Sequence, residues 1–393
     1  MKKVVLGKSG IQVSALCLGT DLFGSKRDRA TSFALLDFFH SAGGTFIDTA
    51  NFYASWLEGF KGGESETTIG QWLKERGTRD KMVIASKLAF DYPGSPGGLS
   101  ASEIERECEK SLRRLQTDRI DLYYSHRDDR ATPLEETMAA FDRLVRAGKV
   151  RAIGASNLSI WRIAQSNLLS QLKGWASYVA VEQRYTYLRP RYAADFGPQI
   201  FINDDLKDYA RSHDVTLVGY SVLLGGACAR GASGLPPQFA GADSDARLEA
   251  LCAVAAELGI GVNQVILAWM RQSDPPVLPI IAGSRTEQLA ENIAALDLKL
   301  TDDQMRRLDT AGNAAAGGWI CAGISATSPQ PDDCDGRTWH AERADRACGG
   351  AASKGADLRV GPYDLLIAAY LIDCRHARRR RHAGAEALRR SAP

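Results

Sequence analysis

The chain has 393 residues, 45% of them hydrophobic and 24% charged, the balance of an ordinary globular protein able to bury a large core. A formal net charge of +2 gives no case for a nucleic-acid partner. No apolar run reaches the roughly 18–20 residues that span a bilayer, so a membrane partner is not expected either.

Two lysines open the chain, but neither a long apolar stretch nor a small-residue cleavage site follows them, so no signal peptide is read there. Cys17, Cys108, Cys228 and Cys252 lie in the body and Cys321, Cys334, Cys348 and Cys374 near the C-terminus. None forms a Cys-x-x-Cys pair, which speaks against a zinc ribbon or a thioredoxin-type site. Reduced thiols in the cytoplasm, and no metal, are the expectation.

Lys2 to Val13 reads as a hairpin turning at Gly7-Lys8-Ser9-Gly10. Ala15–Leu18 is a short buried strand ending at Gly19-Thr20-Asp21, and Ala30–Ala42 is a helix stopped by Gly43-Gly44. The alternation then repeats. Strands are expected at Thr45–Asp48, Lys81–Lys87, Arg119–Ser125, Val150–Ala155, Tyr178–Gln183, Val215–Tyr220 and Pro276–Ala282. Helices are expected at Glu64–Arg76, Ser102–Leu115 (Ser102 as N-cap), Pro133–Ala147, Ser159–Leu172, Asp204–Ser212, Arg247–Leu258, Asn263–Arg271, Thr286–Ala295 and Thr301–Ala311. Strands alternating with helices of this length imply right-handed crossovers and a parallel sheet. Eight such units between Ala15 and Ala295 have the size of a closed (β/α)₈ barrel, a TIM barrel. A doubly wound sheet is the alternative, but Gly19-Thr20-Asp21-Leu22-Phe23-Gly24 lacks its G-x-G-x-x-G spacing.

The alternation ends near residue 313, which gives an expected barrel domain over 1–313. Residues 314–393 read as a low-order, disordered basic C-terminal extension of unknown role, with one apolar island at Leu365–Ile372 and the run Arg378–Arg381. From Cys321 onward there are 12 Lys+Arg against 9 Asp+Glu.

A barrel carries its active site at the C-terminal ends of its strands. Those ends hold Asp48, Lys87, His126, Ser156–Asn157, Gln183, Tyr220–Ser221 and Gly283–Ser284, with Tyr53 close behind Asp48. Each alone has a structural explanation as a cap, turn residue or solvated charge. At consecutive strand ends they suggest chemistry. A tyrosine of pKa about 10 is a poor acid until an ammonium stabilises its phenolate. Lys87 would supply that charge and Asp48 would hold Lys87. His126 would orient a carbonyl, and Tyr53 would protonate its oxygen as hydride reaches the carbon. Hydride requires a carrier. Asn157 and Gln183 suit a carboxamide, Tyr220 a stacked ring, and Gly283-Ser284-Arg285 before a helix a phosphate.

The segments Leu18-Gly19-Thr20, Asp48–Tyr53, Gly63–Glu66, Ala85–Lys87, Asp121–His126, Ile153–Asn157, Val181–Gln183 and Ala282–Arg285 together resemble the aldo-keto reductase family over about residues 2–311. The resemblance implies an NADP(H)-dependent carbonyl reductase on a (β/α)₈ barrel, with a tetrad at Asp48, Tyr53, Lys87 and His126. It places nicotinamide contacts at Gly19, Thr20, Ser156, Asn157, Gln183 and Tyr220. Ser221, Leu223 and Arg230 would serve the loop after the stacking ring, and Gly283, Ser284, Arg285, Gln288, Glu291 and Asn292 the adenosine phosphate. Many relatives follow that ring with Ser-Pro-Leu and then Gly-Lys; here Val222 replaces the proline and no lysine follows.

Near loops offer Phe23, Phe52, Trp56, Phe90, Tyr92 and Tyr187 as aromatic walls for a substrate; Phe23, Trp56 and Phe90 are the candidates carried forward. The expected partner is a small carbonyl or alcohol. Two other readings stay open: a cofactor-sensing subunit that acts through a protein partner with slow turnover, and an unrelated barrel isomerase or lyase that binds no nicotinamide.

Overall fold

The structure, a computed structural model, describes residues 1–313. The basic extension and its apolar and arginine runs lie outside the described residues.

Strands β1 (Lys3–Val5) and β2 (Gln12–Ser14) form the antiparallel hairpin. Eight parallel strands close the barrel: β3 (Cys17–Gly19), β4 (Phe46–Asp48), β5 (Val83–Leu88), β6 (Ile120–Ser125), β7 (Val150–Ser156), β8 (Tyr178–Arg184), β9 (Thr216–Tyr220) and β10 (Val277–Ile281). β10 pairs with both β3 and β9, so no edge is left open. Around them run α1 (Arg29–Ser41), α2 (Glu64–Arg76), α3 (Ala101–Leu115), α4 (Leu134–Arg146), α5 (Ile160–Lys173), α6 (Asp204–His213), α7 (Ala242–Leu258), α8 (Val262–Gln272), α9 (Thr286–Ala294) and α10 (Asp302–Thr310). The (β/α)₈ barrel expected from the alternation is therefore the fold.

Local chemistry sets the helix ends. α2 starts with Glu64 and Glu66, ends with Lys74 and Arg76, and stops at Gly77 in the left-handed conformation. Thr301 and Gln304 cap α10 reciprocally. Two expectations shift. Ser100, not Ser102, caps α3, accepting from the Glu103 amide. α7 begins at Ala242 rather than Arg247, because Asp243 and Asp245 suit a first helical turn although the stretch reads as loop.

Period-2 alternation sorts the strand side chains into two layers. Phe46, Val83, Ala85, Leu122, Tyr124, Ala180, Val218 and Leu278 fill the barrel interior. Ile47, Ile84, Leu88, Tyr123, Val181 and Leu217 pack outward against the helices. The hairpin contributes Leu6, Ile11 and Val13 to the interior cluster, so it plugs the N-terminal end. Gly7 lets it seat: a Cβ there would meet the Val179 carbonyl oxygen at 2.5 Å, and its N–H donates to Thr216 Oγ1 at 2.8 Å. At the opposite end the inward positions turn polar, beginning with Asp48, Lys87 and Glu182.

Candidate active site

Asp48 ends β4 and Lys87 is the penultimate residue of β5; both face inward and both are buried. Lys87 Nζ donates to both Asp48 carboxylate oxygens at 2.5 Å, to the Thr49 carbonyl at 3.1 Å and to Tyr53 Oη at 2.9 Å. Tyr53 in turn donates to Asp48 Oδ2 at 3.2 Å. Gly154 leaves room for the Tyr124 ring, which lies beneath the lysine with its centroid 5.9 Å from Nζ. His126 follows β6 and stands edge-on to Phe90 and Phe52, with ring centroids 4.9 and 5.1 Å away. Its Nδ1 is buried without a hydrogen-bond partner. The four residues separated in sequence thus converge at one strand-end cluster.

The electrostatics are more specific than the sequence suggests. Burial opposes the Lys87 ammonium, but Asp48 outweighs it and raises its pKa, so the lysine is held charged. His126 is pushed well below its ordinary value by burial and then by Lys87 and Arg127, so it is a neutral imidazole. Burial, then the Asp48 carboxylate, raise Tyr53 well above its ordinary value. This corrects the expectation of a phenol acidified by Lys87. At rest the phenol is held protonated, and the ammonium 2.9 Å away bears on the phenolate only once the proton has left.

A cleft of about 850 Å³ runs outward from these groups. Asp48, Tyr53 and His126 line its inner end, with Phe52, Trp56 and Phe90 as an aromatic wall. Gly19, Thr20, Asn157, Tyr220, Ser221 and Leu223 line its middle; Gly283, Ser284, Gln288, Glu291 and Asn292 line its outer end over α9. Asn157 is held at a left-handed φ of 56°; its amide nitrogen donates to the His126 carbonyl at 3.0 Å and its Oδ1 accepts from Tyr220 Oη at 2.8 Å. Ser284 is tied to Gln288, whose Oε1 accepts from the Ser284 amide at 2.7 Å.

Residues 15–313 match the Aldo/keto reductase family. The chain belongs to the aldo/keto reductase family. The oxidoreductase YrpG of Bacillus subtilis is 33% identical over 326 residues, covering 79% of this chain and 95% of that protein. Norsolorinic acid reductase of Aspergillus flavus is 30% identical over 331 residues, covering 79% of this chain and 80% of its own. The solved structure of the thermostable aldo-keto reductase Tm1743, in complex with the inhibitor epalrestat, superposes with a TM-score of 0.64 at 30% identity, covering 79% of this chain and 99% of that one. This aldo/keto reductase is accordingly an oxidoreductase of a family that reduces carbonyl compounds and binds NAD(P)H. Among the described residues no single helix is long and apolar enough to cross a membrane.

Several expected site residues of the reductase stand elsewhere. Gln183 faces the helix layer, where its Nε2 donates to the Leu158 carbonyl at 2.7 Å. The inward residue of β8 is its neighbour Glu182, one position away on the opposite face. Ser156 is buried and accepts from Asn157 Nδ2 at 3.0 Å outside the cleft lining. Arg230 turns back to the Gly225 carbonyl at 2.9 Å, and Arg285 is the N-cap position of α9; neither lines the cleft. Phe23 is core, because the loop after β3 tucks it under the helices. Tyr92 bonds Glu107, and Tyr187 packs edge-on to Trp269 with its hydroxyl on the Leu308 carbonyl.

Conversely, Glu182, Asp21, Arg27, Gln199, Asn263 and the Gly225–Gly226 pair line the cleft without having been singled out from the sequence. Arg27 brings a guanidinium whose buried Nε has no partner. For Glu182 the sequence offers no signal, since β8 is buried on both faces and its phase cannot be read from alternation.

Proposed function

We propose that this protein reduces an aldehyde or ketone to the alcohol with NADPH, Tyr53 being the general acid. The observation that carries the reading is the convergence of Tyr53 Oη, Lys87 Nζ and the Asp48 carboxylate within hydrogen-bonding distance, beside neutral His126. The cleft suits a dinucleotide. Its inner end meets the acid, its middle offers the Tyr220 ring, and its outer end offers Gly225, Gly226, Gly283, Ser284 and the amino terminus of α9, with the Arg27 guanidinium also in the lining. NADPH, when bound, supplies the hydride. NADP over NAD is the choice supported by Ser284 and Gln288 at that outer end, with Arg285 adjoining them.

The chain's own groups do the rest. Phe52, Trp56 and Phe90 give the carbonyl compound an aromatic wall to lie against. His126 orients the carbonyl oxygen by hydrogen bonding as a neutral donor. Tyr53 passes its proton to that oxygen as negative charge develops there, and Lys87 stabilises the tyrosinate left behind. Asp48 keeps Lys87 charged and aimed.

The test pairs NADPH consumption across a panel of reactive carbonyl compounds with a Tyr53→Phe comparison. The expected result is turnover by the native protein and a fall in kcat of roughly a hundredfold or more in the variant, with NADPH binding, read by fluorescence, preserved. An unchanged kcat sinks the assignment. Tight NADPH binding with no turnover on any carbonyl would instead support a sensor.

A further inference from the structure

Glu182 is the buried group at the inner end of the cleft that the mechanism above leaves without a task. It is 3% exposed and lines the cleft. Its Oε1 lies 3.4 Å from Lys87 Nζ and its Oε2 is buried with no hydrogen-bond partner among the described residues. A buried carboxylate oxygen left unpaired costs a great deal unless the group carries a proton. Lys87 is the cation for both Asp48 and Glu182, and the geometry divides it unequally: both oxygens of Asp48 sit at 2.5 Å, Glu182 at 3.4 Å. The closer, two-oxygen pairing with the ammonium therefore belongs to Asp48.

Among the described residues, the titratable groups that interact with Glu182 leave it a single cation. They are Cys17 on β3, Asp48 on β4, Tyr53 in the following loop, Lys87 on β5, Tyr124 on β6 and Tyr220 on β9. Only Lys87 is cationic. Burial, then Asp48, hold the Glu182 carboxyl well above the usual range, in agreement with the geometry.

We propose that Glu182 is the proton reservoir of the site, holding a proton in the resting protein and passing it through Lys87 to Tyr53 after each reduction. This rests on the reductase reading above. The protons balance. Tyr53 O–H gives its proton to the oxygen of the reduced carbonyl, whose carbon has taken hydride from the nicotinamide. One Lys87 N–H then moves to the Tyr53 oxygen as the Glu182 proton moves to Nζ. The phenol and the ammonium are restored and Glu182 is left as a carboxylate, which regains its proton from water at the cleft mouth. Keeping Glu182 neutral also spares the site a second uncompensated negative charge while Tyr53 is ionised. Glu182 acts through Lys87 and does not touch the carbonyl.

Infrared difference spectra of the ligand-free protein against Glu182→Gln test the resting proton. The expected result is a protonated-acid carbonyl band, sensitive to deuterium, that the variant lacks and Glu182→Asp restores. Kinetics test the relay. Steady-state kcat for reduction falls roughly tenfold in Glu182→Gln, and the first turnover, for which Tyr53 is already loaded, falls less. In the native protein the rate drops as pH rises through the titration of Glu182, because the reservoir empties; in Glu182→Gln that inflection is gone. Absence of the band, or a band without any change in kcat or pH profile, overturns the proposal. The spectra need no turnover, so a failed reductase reading, seen as an unchanged kcat in Tyr53→Phe, is told apart from a failed reservoir.

Discussion

The two ends of the barrel bury carboxyl groups in opposite ways. At the N-terminal end Asp121, near the start of β6, is 1% exposed and fully engaged: Arg79 at 2.8 Å, Arg151 at 2.9 Å and the Ile84 amide at 2.9 Å share its two oxygens. Beside it the hairpin seals the interior with Leu6, Ile11 and Val13. At the C-terminal end Asp48 and Glu182 share one lysine, Glu182 Oε2 is unpaired, and His126 Nδ1 and Tyr124 Oη are unpaired too. Satisfied polar groups hold a fold together, whereas orphaned ones lining a cleft mark where a ligand or a proton is expected. The lesson is that burial alone does not separate Asp121 from Glu182; the completeness of the hydrogen bonding does.

Substitutions at the two ends should separate rate from stability. The largest effect is expected from Lys87→Met, which removes the ammonium from Tyr53. Reduction should fall by about a thousandfold in kcat/KM, measured with NADPH and the best carbonyl found; a loss smaller than tenfold would contradict the role given to Lys87. Next comes the apolar plug. Leu6→Ala opens a cavity at the sealed end and should cost about 2–5 kcal/mol in denaturant unfolding, with kcat unchanged at temperatures where the variant is folded. A drop in kcat without a drop in stability would mean that the hairpin communicates with the cleft. The smallest is Asp121→Asn, which weakens charge-assisted bonds to Arg79 and Arg151 and should cost about 1.5–3 kcal/mol. Its pH–rate profile should match that of the native protein, since Asp121 shares no partner with the cleft groups.

The strand ends were legible because a strand, a carboxylate and a tyrosine lie in one continuous segment from Phe46 to Tyr53, and because Lys87 and His126 follow the short, largely apolar runs Met82–Ala85 and Leu122–Tyr124. Glu182 was not. Strand β8 reads Tyr178-Val179-Ala180-Val181-Glu182-Gln183-Arg184, and strands buried on both faces carry no polar–apolar alternation from which to read their phase. Gln183 and Glu182, one residue apart, lie on opposite faces of β8, and Glu182 is the one that lines the cleft. Phe23, Arg230 and Arg285 lie outside the cleft lining for a different reason. Their side-chain directions follow from loop and helix-cap conformations, such as the short helical turns at Leu224–Gly226 and Cys228–Arg230, that residue type does not dictate.

By itself the sequence determined the number and order of the strand–helix units, since periodicity, caps and glycine stops are local properties of the chain. It also determined which residue types end each strand, and so the candidate acid, ammonium, carboxylate and imidazole. Only the tertiary structure decided which of them share a volume of space and how their charges are divided. Barrel closure sets the strand phase and removes the solvent, and a pKa depends on both. That is why a tyrosine expected to be acidified is held protonated, and why a glutamate passed over in the sequence stands beside the lysine.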